Sequence, residues 1–94
     1  MLSIVDAQYQ DGYKLYLKFN DNKEGVVDLS DLIIQAKGMP FRELQNQEVF
    51  KKFIVDYTII WSDELDVAPE FLYFKTFEHD KSLQQQFQEW GYVA

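Results

Sequence analysis

Between two turn signals lies the stretch that most limits how this chain can fold. Tyr13, Leu15, Leu17 and Phe19 alternate with Lys14, Tyr16 and Lys18. A period of two places four apolar groups on one face of a strand and the lysines on the other. Asp11-Gly12 precedes this run and Asn20-Asp21-Asn22 follows it. Both are turn chemistries that reverse a chain between strands. With residues 2–10 before the first turn and Gly25–Leu29 after the second, the pattern predicts a three-stranded antiparallel meander.

The remaining elements are short. Ser30 is placed to cap a helix over 31–37, with Leu29, Leu32, Ile33 and Ala36 at helical spacing and Gly38 as its stop. Pro40 breaks the chain. Helical turns are expected within 41–51, capped at Asn46, with Phe41, Leu44, Val49 and Phe50 inward. Phe53–Asp56 and Thr58–Trp61 are rich in β-branched and aromatic residues and read as a further hairpin turning near Tyr57. Ser62-Asp63-Glu64 turns again, and Pro69 suits the first turn of a short helix. Asp80 can cap a helix over 81–90, whose Leu83, Phe87 and Trp90 form one stripe before Gly91.

The predicted class is therefore α+β: a small antiparallel sheet, made of the meander plus a hairpin, with short helices and a C-terminal helix. Ninety-four residues suit one domain, 1–94. The expected core is Leu15, Leu17, Phe19, Val27, Leu32, Ile33, Phe53, Val55, Ile59 and Leu72, with Trp61 and Tyr73 structural.

Charge and residue usage narrow the function classes. The formal net charge is -7, from 9 basic and 16 acidic residues. Nucleic-acid binders draw affinity from basic residues that neutralise phosphates, so direct nucleic-acid contact is not expected. The same field disfavours anionic membranes and favours a small basic protein partner; a homo-oligomer is the other expectation. With no cysteine there is no disulfide, thiolate nucleophile or cysteine-held metal. Neither a secretory leader nor a membrane-length apolar run is evident, which sets a cytoplasmic expectation.

No catalytic, cofactor or metal set emerges. His79 is the one histidine, and no nucleophile motif accompanies it. Asn20, Asn22, Glu24 and Gly25 resemble part of a calcium loop, but strand alternation flanks them where helices are required. The four glycines are scattered, not gathered into a phosphate loop. Three features stand as interaction candidates. Tyr16 lies between two lysines on the polar strand face. The tail stripe of Leu83, Phe87 and Trp90 needs a surface to bury against. Asp63, Asp66 and Glu70 gather near Trp61, where a small ligand could bind.

The ordered set Val27-Asp28-Leu29-Ser30, Phe41-Arg42-Glu43-Leu44, Phe50–Asp56, then Trp61, Leu65, Asp66, Pro69-Glu70 and Leu72-Tyr73 resembles the small bacterial family called domain of unknown function 2442. The likeness covers residues 4–73. It implies a compact α+β core over 1–73, a helical extension over 74–94 and a bacterial cytosolic setting. Some members carry a helix-turn-helix domain; others are encoded beside a second small protein, as toxin–antitoxin pairs are. No catalytic residues are implied. Where the family often has Asn-Gly after the tryptophan, this chain has Asp63-Glu64, so a different turn is expected there. The tail is too short for the helix-turn-helix and is not basic. The expected role is a non-catalytic, antitoxin-like interaction module; the alternatives are a component of a transcription-associated complex or a small-ligand binder.

Overall fold

The computed structural model describes residues 1–35, 41–63 and 65–94. Strands β1 (Ile4–Asp11), β2 (Lys14–Phe19) and β3 (Glu24–Asp28) form an antiparallel meander in the order β1-β2-β3. Its turns are those the sequence marks. Gly12 takes a φ of 49° between β1 and β2, and Asn22 a φ of 72° between β2 and β3. Asp21 Oδ1 accepts from the Lys23 N–H at 3.0 Å, bracing the second turn. The first strand starts and ends later than the expected 2–10.

A second meander follows: β4 (Ile54–Asp56), β5 (Thr58–Ser62) and β6 (Leu65–Val67), in the order β4-β5-β6. Its first turn is a single residue, Tyr57, at φ 57°. Its third strand carries no signal in the sequence. Leu65-Asp66-Val67 is too short to display a period, and pairing with β5 is what makes it a strand. The Ile4 N–H donates to the Tyr57 carbonyl at 2.8 Å and stitches the two sheets together.

Helices fill the connections. α1 spans Ser30–Ile34. Ser30 is its first residue, not its cap: the Asp28 carboxylate accepts from the Ser30 N–H at 2.9 Å. The Ile33 N–H, which a Ser30 cap would receive, donates to the Leu29 carbonyl at 3.0 Å, so the helix begins one residue early. The expected Ala36 contact and Gly38 stop lie outside the described residues. A 3-10 helix over Phe41–Gln45 leads into α2 (Gln47–Phe50), where Asn46 Oδ1 accepts from the Glu48 N–H at 3.0 Å as expected. α3 (Pro69–Phe77) is longer than a turn or so, and it runs through residue 73, where the core was expected to end. A 3-10 turn over Lys81–Leu83 precedes α4 (Gln84–Glu89). Asp80 Oδ1 accepts from the Ser82 N–H at 2.9 Å. Past Gly91 at φ 84°, Tyr92 N–H bonds back to the Phe87 carbonyl at 2.9 Å, closing the helix.

One contiguous apolar cluster joins these parts. Leu15, Leu17, Phe19 and Val27 from the first sheet meet Ile33, Leu44, Phe50, Ile59, Leu72 and Phe87. Five expected inward positions are corrected. Val55 and Val49 are exposed, while Leu32, Phe41 and Phe53 are only partly buried. Val55 stands opposite buried Ile59 but on an outer strand of its sheet.

α3 closes over the inner face of β3. A Cβ on Gly25 would stand 2.9 Å from Thr76 Cγ2 and 3.4 Å from the Phe77 ring. That spacing lets the helix approach the strand's backbone directly.

Candidate interaction surface

The outward face of the first meander is built by its register. Leu15, Leu17 and Phe19 point inward and are fully buried, so Lys14, Tyr16 and Lys18 point out. Cross-strand pairing then sets three rows. Asp6, Lys18 and Glu24 form one; Gln8, Tyr16 and Val26 form the middle; Asp11, Lys14 and Asp28 form the last. Each lysine thus stands between two carboxylates, and the aromatic and apolar groups sit between the charged rows. Val26 is 51% exposed. The Tyr16 phenol titrates above the ordinary tyrosine range, first through desolvation and then through the charges of Glu24 and Asp6. It stays a neutral hydrogen-bond donor among acceptors.

Tail packing leaves that face open. α4 packs instead on α3: Phe87 meets Phe74 edge-on at 5.0 Å, Trp90 meets Tyr73 at 5.9 Å, and Tyr92 stacks on Phe74 at 4.9 Å. Leu83 and Phe87 are buried, and Trp90 is half-buried. These residues face their own chain.

Tyr73 anchors this aromatic group to the meander. Its hydroxyl donates to Asp21 Oδ2 at 2.8 Å, and its ring meets Phe19 edge-on at 5.0 Å. Burial, then the Asp21 carboxylate, pushes its phenol far above the ordinary tyrosine range.

In the Trp61 region the indole packs against the core. The indole N–H donates to the Phe50 carbonyl at 2.9 Å and the ring packs at 5.7 Å from Phe50, so Trp61 serves the core. Phe50 is also met edge-on by Tyr13 at 5.4 Å. Asp66 is exposed opposite Ile60, Asp63 is exposed in the β5–β6 turn, and Glu70 is half-buried in the first turn of α3. Among the described residues no three His, Asp or Glu side chains converge to hold a metal ion. His79 is exposed beside Glu78. No described helix is long and apolar enough to cross a membrane.

The sequence singles out Tyr16 but misses its partners Asp6, Gln8, Glu24, Val26 and Asp28. The two turns that fix the register were the available signal.

The model of a family described as a protein of unknown function, DUF2442, matches residues 4–78. The chain belongs to that family. The DUF2442 match includes both meanders and all of α3, and leaves α4 outside. No curated protein matches the chain. Among solved structures, a "putative DNA binding protein" from Nitrosomonas europaea ATCC 19718 shares the fold, with a TM-score of 0.71 at 13% identity. The alignment covers 100% of this chain and 63% of that one, so the chain spans less than two thirds of its neighbour. This neighbour overturns the exclusion of direct nucleic-acid contact drawn from net charge. A charge total averages over the whole surface, whereas contact is made by a local arrangement of groups.

Proposed function

We propose that this DUF2442 protein is a non-catalytic interaction module that docks another macromolecule on the outward face of its first meander. One observation carries the reading: that face stays open, with half-buried Tyr16 and exposed Val26 at its middle, while the tail stripe is used up on α3. Aromatic groups at the centre of a patch and charged groups at its rim are the usual anatomy of a protein contact. The occupant favoured by this anatomy is a protein.

The test is capture of partners from native cells by the full chain and by Tyr16→Ala, followed by titration of the captured protein. Loss of a central aromatic should weaken binding by about tenfold or more. The thermal midpoint should barely move, because the side chain lies outside the core. Equal binding by both forms would refute the reading.

A second reading rests on the structural neighbour's description as a DNA binding protein. Here Lys14 and Lys18 would meet phosphates. Titration of a labelled duplex at increasing salt distinguishes it. Affinity falling steeply with salt supports direct contact; no binding at low salt removes it.

A further inference from the structure

The outer edge of β3 offers a backbone as well as side chains. Among the described residues β3 pairs with β2 alone. Leu29 N–H donates to the Tyr13 carbonyl and Phe19 N–H to the Lys23 carbonyl, both at 2.9 Å. With Leu15 opposite Val27 and Leu17 opposite Gly25, those bonds fix which residues face β2. Gly25 and Val27 spend their N–H and C=O groups on the ladder, so Glu24, Val26 and Asp28 direct theirs outward. No described residue bonds to these three backbones in the turns, loops and side-chain contacts. Their side chains lie on the open face, apolar at the centre and acidic on either side.

An unpaired edge with such a pattern discriminates between occupants. A strand added beside β3 sets its own residues opposite Glu24, Val26 and Asp28. A second copy of this chain fits poorly. Antiparallel pairing about Val26 sets Glu24 against the other copy's Asp28, and in-register parallel pairing sets each acid against itself. Like charges directly opposite oppose pairing. A foreign strand with the alternation basic–any–apolar–any–basic satisfies all three positions in either direction.

We infer that the β3 edge is a strand-docking site that takes an extended segment with a basic residue on either side of a central apolar one. The inference rests on the interaction-module reading and names the segment that the module would grip.

The experiment titrates the full chain with a capped synthetic peptide containing Lys-Thr-Val-Thr-Lys and with its Glu-Thr-Val-Thr-Glu counterpart, followed by amide NMR and hydrogen exchange. The lysine peptide should bind, weaken with salt, and protect the otherwise fast-exchanging Val26 amide. Glu24→Lys should weaken it roughly fivefold and strengthen the glutamate peptide. Val26→Pro removes an outward donor without touching the β2 ladder and should abolish binding; if that variant misfolds, Glu24→Lys still decides. Equal binding of both peptides, indifference to Glu24→Lys, or shifts mapping away from β3 would overturn the inference. Those failures would leave the interaction-module reading standing if Tyr16→Ala still releases a captured partner.

Discussion

Single residues set the register on which everything else depends. Asn22 holds a φ of 72°, a left-handed conformation that asparagine tolerates and β-branched residues resist. Asn22→Gly should keep or slightly raise stability. Asn22→Val should cost roughly 1–2 kcal/mol, read as a lowered denaturation midpoint; equal midpoints would show that the turn relaxes freely. Tyr73 works at the same scale, because one hydroxyl on Asp21 ties α3 to the β2–β3 turn. Tyr57, at φ 57°, lets β4 and β5 reverse within a single residue.

Between elements, α3 lies hard against β3 at Gly25. Glycine in a strand usually weakens it, so replacement by alanine would ordinarily gain a little stability. Here the added Cβ would meet Thr76 Cγ2 at 2.9 Å. Thr76 cannot turn away cheaply, since its hydroxyl donates to the Leu72 carbonyl at 2.7 Å. Gly25→Ala should therefore destabilise by about 1–3 kcal/mol. Thr76→Ser keeps the hydroxyl and deletes the obstructing methyl, so the double variant should recover most of that loss. A double-mutant cycle by chemical denaturation measures the coupling, and strict additivity would place the clash elsewhere.

At the scale of the molecule, two opposing effects shape the response to pH. The net charge of -7 repels itself, and protonation down to mildly acidic pH relieves that repulsion. Asp28 and Asp80 act the other way. The Ser30 N–H, then the Ser30 side chain, holds the Asp28 carboxyl below its ordinary range; the Ser82 side chain, then its N–H, does the same for Asp80. A carboxyl whose folded value is depressed stabilises the fold above its unfolded value and loses that contribution as pH falls through the folded one. Stability should rise from pH 8 toward about 5 and fall below about 4. Asp28→Asn and Asp80→Asn should flatten the acid limb. A thermal midpoint rising steadily down to pH 2 would refute this balance.

Local chemistry made much of the fold legible. The alternation from Tyr13 to Phe19, the turn residues on either side, and the caps at Asn46 and Asp80 each act over a few residues, so the sequence by itself determined the first meander and the starts of α2 and the tail. β6 and the exposure of Val55 were decided by tertiary structure. A three-residue strand exists only through its neighbour, and burial depends on what lies beyond the edge. The same holds for the candidate surface. Tyr16 between two lysines could be read directly, but its acidic and apolar neighbours come from other strands, brought opposite by register. Leu83, Phe87 and Trp90 showed a stripe in need of cover, and only the packed chain revealed that α3 supplies it. The charge total, summed without positions, does not by itself exclude a class of partner, because contact depends on where charges stand and not on how many there are.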